Sequence, residues 1–226
     1  MKLPLLILVI VALVGCHQPD SKVPSKISSL DSNIKSEPKT FSDSVELKES
    51  SDEKDLPVNQ YLIVRLAPIR TNFQRINSIK DWDSVVSREL SESTEGGEAK
   101  LYYKKGKLEK VVTRHYAETF QLLSEYYLHG KQLSFAFERK LKYNRPFYYD
   151  SLAMKENDDV EAFDIAKAEL IEDRSYFENG KLLHQVNNED CGSPFESKYL
   201  TEEQNRIMAN FDRLVTQSES NKKPNR

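Results

Sequence analysis

The sequence contains little of what a disulfide-stapled, metal-binding or nucleic-acid-binding protein needs. Its 226 residues include two cysteines, four histidines and one tryptophan, and 33 Lys and Arg against 36 Asp and Glu give a formal net charge of −3. A nucleic-acid-binding domain would need a basic patch, which this balance does not favour. The sequence also lacks a Gly-x-Ser-x-Gly elbow, a His-Glu-x-x-His pair and a phosphate-binding glycine loop. The common hydrolase, metalloprotease and nucleotide-binding signatures are therefore absent, and no cofactor is expected.

No apolar run is long enough to span a membrane, and the longest one lies at the N-terminus. Lys2 precedes the apolar residues 3–14, a run shorter than the ~20 residues of a membrane-spanning helix and typical of a secretory signal. The run closes with Leu-Val-Gly followed by Cys16, which resembles the lipobox of bacterial lipoproteins. The resemblance implies cleavage of a signal peptide over 1–15, acylation of Cys16 and membrane attachment through the acyl chains. An ordinary secretory signal with a coincidental cysteine is the alternative.

The surroundings of the two cysteines favour an outer-membrane location and no disulfide. No aspartate follows Cys16, so nothing resembles a signal for retention in an inner membrane. In a bacterium with two membranes we expect the outer one, with its periplasmic and surface faces both left open. Once Cys16 is acylated, Cys191 is the only remaining thiol and no intrachain disulfide can form. Its neighbours Glu189 and Asp190 disfavour a thiolate, so we expect a loop cysteine without a catalytic role.

The segment that follows Cys16 has the composition of a tether. Residues 17–57 are rich in Ser, Lys, Asp, Glu and Pro and have almost no apolar periodicity. Such a segment buries too little surface to offset the entropy of ordering it. We therefore predict a lipidated cysteine and disordered tether over 16–57, a single folded domain over 58–220 and a disordered tail over 221–226.

One phrase, two aromatics followed by two residues, glycine and lysine, occurs three times. It stands as YYKKGKL at 102–108, YYLHGKQL at 126–133 and YFENGKLL at 176–183. Aromatic residues favour strands, and glycine suits the left-handed position of a three-residue hairpin loop built from a type I turn and a bulge. The phrase therefore predicts three hairpins. Their left-handed turn residues are Gly106, Gly130 and Gly180.

The remaining patterns predict a fold of class α+β, an antiparallel meandering β-sheet of hairpins flanked by two helices. A short N-terminal helix is expected from Pro68 to Asn77, and a C-terminal helix is expected after a capping box that begins at Thr201. A turn at Glu95-Gly96-Gly97 joins the first two strands. The seven strands are expected near 82–91, 97–104, 107–117, 121–128, 132–142, 169–178 and 181–187.

The repeated phrase resembles the variant MORN repeat, a hairpin unit of many bacterial surface and antitoxin-like proteins. The matching residues are Tyr102, Tyr103, Gly106, Lys107 and Leu108; Tyr126, Tyr127, Gly130 and Lys131; and Tyr176, Phe177, Gly180, Lys181 and Leu182. The second copy departs from the pattern by an extra residue, Gln132. The whole chain is also similar to lipoproteins of the Bacteroidetes type. The first resemblance implies a role in binding or assembly, and the second implies no activity.

Residues that could carry chemistry are scattered along the sequence. His115, His129 and His184 could meet as metal ligands, although we expect ordinary surface or packing roles and no metal site. Carboxylates cluster at Asp158, Asp159 and Glu161 without the alternating ligands of a calcium loop. A second carboxylate group could supply an acid–base pair for a hydrolase acting on a glycan. It consists of Asp81, Asp83, Glu95 and Glu98 around Trp82.

We expect a lipid-anchored, non-catalytic module that binds a protein or an envelope component. An open aromatic sheet face would stack on a protein or a sugar, and its candidate residues are Trp82, Tyr102, Tyr126 and Tyr176. Two alternatives remain open. One is an envelope hydrolase that uses the carboxylates between Asp81 and Glu98, and the other is an immunity or inhibitor protein that caps a toxin with its sheet.

Overall fold

The structure, a computed structural model, describes residues 46–50, 60–91, 95–189 and 196–220, without the side chains of 217–220. The predicted signal peptide, Cys16, Cys191 and the tail over 221–226 lie outside these residues. The elements are α1 (Gln60–Asn77), β1 (Ser84–Glu89), β2 (Gly97–Lys104), β3 (Lys107–Ala117), β4 (Phe120–His129), β5 (Gln132–Lys142), α2 (Ser151–Glu156), a 3-10 turn (Ile165–Lys167), β6 (Glu169–Glu178), β7 (Lys181–Asn187) and α3 (Ser197–Ser220). No helix in the described ranges has the length and apolar character to cross a membrane.

The seven strands form one open antiparallel sheet in which each strand pairs with the next along the chain. This arrangement confirms the predicted α+β meander, with one helix before the sheet and one after it. The strand bounds agree with the prediction to within about two residues, because alternating apolar and polar residues mark most of these strands. Only β5 and β6 are separated by a long connection, which contains α2 and the 3-10 turn.

Gly106, Gly130 and Gly180 lie in hairpin loops with positive φ, and each loop has two residues where three were predicted. Lys105 and Gly106 have φ of 49° and 70°, and Asn179 and Gly180 have φ of 52° and 77°. Two consecutive positive φ values are the mark of a type I′ turn. The extra residue of each hairpin lies within the following strand, where the register shifts by one position. The loop itself therefore closes with two residues.

Helix α1 covers one face of the sheet and helix α3 covers the other. The α1 face holds a core cluster of Leu62, Leu66, Ile69, Ile76, Tyr127, Phe135, Phe137 and Tyr176. The α3 face holds a second cluster, which includes Leu101, Val111, Tyr126, Leu128, Leu133, Phe177, Ile207, Phe211 and Leu214. Arg206 on α3 also forms ion pairs with Glu138 on β5 and with Glu203. The two faces of one sheet thus carry separate apolar cores.

Both predicted helix starts are wrong by at least a turn. Helix α1 begins at Gln60, so Pro68 lies inside it. The buried Leu62 and Leu66 stabilise the earlier turns, and the carbonyl that loses its partner belongs to Val64, which is 82% exposed and open to water. Helix α3 begins at Ser197. Thr201 donates its hydroxyl to the carbonyl of Ser197 at 2.7 Å, which is an interaction within the helix and not an N-cap.

Candidate functional site: a charged strip and the segment bound to it

Five polar side chains of β3, β4 and β5 form a charged strip on the α1 face of the sheet, beside the region that α1 covers. Alternation along the strands places them on the same face as the α1-side core. They are all buried although three are cations and one is a carboxylate. The charged strip consists of Lys110, Arg114, Gln121, Glu125 and Arg139.

Glu125 lies at the centre of the strip and is fully buried. Its carboxylate is 2.6 Å from the Lys110 ammonium and 3.0 Å from the Arg139 guanidinium, and it accepts a hydrogen bond from the Tyr127 hydroxyl at 2.9 Å. Burial alone raises the pKa of Glu125, but the charge of Lys110 and the hydrogen bonds from Lys110 and Ser50 outweigh it and hold the pKa below its ordinary value. Glu125 is therefore an ionised anchor for the two cations.

Residues 46–50, here called the strap, lie across the charged strip and bind it through their main chain. The amide of Leu47 donates to Gln121 Oε1 at 3.3 Å, and its carbonyl accepts from Arg114. The carbonyl of Lys48 accepts from Arg139. Ser50 donates to Glu125 Oε1 twice, from its amide at 2.9 Å and from its hydroxyl at 2.7 Å. The strip therefore satisfies main-chain groups that a free peptide would leave to water.

The two acidic side chains of the strap meet basic and phenolic groups of the sheet. Glu49 accepts from the Tyr102 hydroxyl at 2.7 Å and lies 3.2 Å from the Lys110 ammonium. Burial and the bond to Glu49 raise the pKa of Tyr102, so its hydroxyl stays protonated as a donor. Glu46 lies 3.2 Å from both the Arg114 guanidinium and the Tyr116 hydroxyl. Both glutamates of the strap thus lie at salt-bridge distance from cations of the strip.

The strap falls within 16–57, where the sequence predicts a disordered tether, and at these five residues the prediction does not hold. Ser50 is buried, and the strap makes hydrogen bonds to β2, β3, β4 and β5. Its polar composition gave no sign of this, because the strap binds through polar contacts and not through apolar burial. The rest of the predicted tether lies outside the described residues, and for those positions the expectation stays a prediction.

The four aromatic residues predicted to share an exposed binding face do not share one. Tyr126 is buried under α3, whereas Tyr176 is buried on the opposite face under α1. The two tyrosines lie on different faces because the extra Gln132 shifts the second hairpin loop by one residue. This loop begins at Gly130 itself, whereas the other two begin at the residue before the glycine. Trp82 and Tyr102 do lie together, with ring centroids 5.2 Å apart. Tyr102 also donates its hydroxyl to Glu49 of the strap.

Three of the four carboxylates of the hydrolase alternative, Asp81, Asp83 and Glu98, lie beside cations. Lys104 lies 3.1 Å from Asp81 and 3.0 Å from Asp83, and its hydrogen bonds lower the pKa of both carboxyl groups. Glu98 pairs with Lys100 at 3.0 Å and lies 3.7 Å from Arg114. A general acid requires a raised pKa, because it must carry its proton near neutral pH. This geometry gives that alternative no support.

The remaining candidate residues lie in separate places. His115 lines a cavity of about 370 Å³ between α3 and the sheet, His184 stacks on Tyr176, and His129 ends β4. Asp159 pairs with Arg145 at 3.0 Å in the connection between β5 and β6. In the part of the chain that the structure describes, no three His, Cys, Asp or Glu side chains are placed to hold a metal ion.

One pattern in the sequence indicates the charged strip. Strand alternation puts Glu125 on the same face as Leu123 and Tyr127, so a carboxylate stands in the middle of an apolar face. A buried carboxylate needs cations nearby, and Lys110 and Arg139 stand on the two neighbouring strands. No comparable pattern in the sequence indicates the contact between residues 46–50 and the charged strip.

Comparison of the chain with protein-family models, with curated proteins and with solved structures finds no match in any of the three. The resemblances to the variant MORN repeat and to bacterial lipoproteins therefore stay predictions. The charged strip and its strap are the features of the described residues from which a function can be argued.

Proposed function

We propose that this chain is a lipid-anchored protein of the cell envelope whose folded domain is a non-catalytic binding module for a protein partner. Cys16 is the anchored residue, the outer membrane is the location, and the charged strip is the surface at which the partner binds. The observation that carries the proposal is the strap, since the strip already holds a peptide segment through main-chain and carboxylate groups.

The chemistry of the strip supports binding more than catalysis. Its central carboxylate has a pKa below its ordinary value and is saturated by cations and hydroxyl groups. Such a group is a poor proton acceptor for a substrate, because its charge is already stabilised. A surface that pairs buried charges with a peptide segment is instead typical of recognition, in which charge complementarity selects the partner.

The membrane anchor is tested in a lipoprotein-competent bacterium supplied with a fatty-acid probe. The wild-type chain should incorporate the probe and partition into detergent, whereas Cys16→Ala should do neither. Cys191→Ala is the matched control, because it removes the other cysteine and should label as the wild type does. Label that survives Cys16→Ala would contradict acylation at this residue.

The binding surface is tested by affinity purification from cross-linked envelopes. Arg114→Gln removes a strip guanidinium that contacts the strap at its edge, and it should reduce capture of the partner at least fivefold. Arg65→Gln is the matched control, because Arg65 also forms an ion pair, with Glu178 at 2.5 Å, but lies on α1 away from the strip. Equal capture by both variants would show that the strip is not the partner's binding surface.

A further inference from the structure

We infer that the strap is an exchangeable intramolecular ligand, and that the partner supplies an extended acidic peptide segment in its place. The inference deepens the proposed function and rests on it, because it takes the strip as the partner's binding surface. The segment it fits has two carboxylates three residues apart, followed directly by a hydroxyl residue, as in Glu-Leu-Lys-Glu-Ser of residues 46–50.

The attachment of the strap is polar throughout, which makes its exchange feasible. None of its residues belongs to either apolar core cluster. Glu46 and Lys48 are exposed, and only Ser50 is buried. Water can replace polar contacts one by one as the strap leaves, whereas removing a core side chain would open an apolar cavity. The strap can therefore detach without unfolding of the sheet.

The charge of the strip selects an acidic occupant. Within the strip, Lys110, Arg114 and Arg139 carry three positive charges against the one negative charge of Glu125, and Glu98 on β2, which also pairs with Lys100, lies 3.7 Å from Arg114. Glu46 and Glu49 of the strap supply two negative charges at salt-bridge distance from Arg114 and Lys110. A neutral segment in the same place would cover these cations and leave part of their charge unpaired.

The main-chain contacts make the strip tolerant of other sequences between the two carboxylates. Leu47 and Lys48 bind through main-chain groups, and their side chains make no hydrogen bond within the described residues. Any extended residue can present the same amide and carbonyl groups. Specificity therefore resides in the two carboxylates and in the hydroxyl group that meets Glu125, as Ser50 does at 2.7 Å.

A tethered ligand competes strongly with a free one, so the experiment must weaken the strap first. Linkage within one chain corresponds to an effective concentration on the order of millimolar, which masks weak binding from outside. The chain to be tested is the full chain in detergent with Glu46→Gln and Glu49→Gln. The matched control is the full chain with Glu161→Gln and Glu178→Gln, which removes two carboxylates ion-paired with Lys167 and Arg65 and not with residues of the strip.

The probe is a fluorescent synthetic peptide with the sequence of residues 45–51, VELKESS, followed by fluorescence anisotropy. The Glu46→Gln, Glu49→Gln chain should bind this peptide at least fivefold more tightly than the wild type and the control chain do. A peptide in which both glutamates are replaced by glutamine should bind the Glu46→Gln, Glu49→Gln chain at least fivefold more weakly than VELKESS does. Equal binding of the peptide by all three folded chains would overturn exchange and make the strap a permanent part of the domain.

Amide hydrogen exchange on the unmodified chain tests the same inference without a substitution. The amides of Leu47 and Ser50 should exchange at least tenfold faster than the ladder amides of β4 and β5, because local release of the strap needs no global unfolding. Exchange of all these amides at one common rate would overturn the inference.

Arg114-dependent capture from envelopes without peptide exchange would mean that the partner binds beside a fixed strap. Peptide exchange without such capture would refute the proposed function instead.

Discussion

Glu125 is a fully buried carboxylate whose charge is balanced by cations from two neighbouring strands and by hydrogen bonds from Ser50. Its pKa lies below its ordinary value, whereas a glutamate in the unfolded chain titrates at about 4.3. A carboxyl group whose pKa is lower in the folded state stabilises the fold above its unfolded pKa. That contribution is lost as pH falls through the folded pKa.

Replacement of Glu125 should therefore matter at neutral pH and much less in acid. At pH 7, Glu125→Gln removes the buried carboxylate that Lys110 and Arg139 share, and it should lower the free energy of unfolding by about 3 kcal/mol. As pH falls below the unfolded pKa and then through the lower folded pKa, the wild-type carboxyl gains a proton, so the difference between the two proteins should shrink. Urea melts of both proteins at pH 7, 4 and 3 measure this difference in the free energy of unfolding. A difference that stays constant with pH would mean that Glu125 is not ionised in the folded state.

At the level of secondary-structure elements, the hairpin turns depend on backbone conformation and not on space. A Cβ added at Gly106, Gly130 or Gly180 would meet no atom within 4 Å, yet all three have φ between 68° and 77°. A β-branched residue is strained at positive φ, so each Gly→Val change should cost more than ~1 kcal/mol of stability. Lys→Ala at the exposed Lys107, Lys131 and Lys181 should cost less than ~0.5 kcal/mol.

Urea melts of these six single variants decide between a structural and a functional repeat. Three glycine variants as stable as the wild type would show that the turns tolerate other conformations. Lysine variants that lose partner capture at full stability would show instead that the repeated lysines form a ligand site.

Local patterns predicted the sheet well and the charged strip poorly, for reasons that differ between elements. Strand β5 was predictable because Leu133, Phe135 and Phe137 alternate with less apolar residues, and the glycine turns were predictable because few other residues tolerate positive φ. The start of α1 was missed because the burial of Leu62 and Leu66 outweighs the local signal of Pro68. The strap was missed because its partners are more than 50 residues away in the sequence.

At the scale of the whole molecule, the strap makes the folded domain begin earlier than its composition predicts. A chain that begins at residue 46 and one that begins at residue 51 differ only by the strap. Loss of the strap should lower the free energy of unfolding by about 2 kcal/mol, because its hydrogen bonds to charged groups are exchanged for water. Thermal and urea melts of the two chains measure this. Identical stability would mean that the strap contributes nothing to the fold.

The direction in which the chain crosses the strip has a mechanical consequence. If Cys16 is anchored, a pull from the membrane reaches Glu46 first and Ser50 last, so the strap would peel from one end and its contacts would fail one after another. Complete peeling frees five residues, about 17 Å of extended chain. In a single-molecule pulling experiment from the N-terminus, this length should appear as a low-force step before the sheet unfolds, and a record without that step would exclude peeling. Tension on the anchor would then uncover the strip, and the domain would respond to the distance between its membrane and its partner.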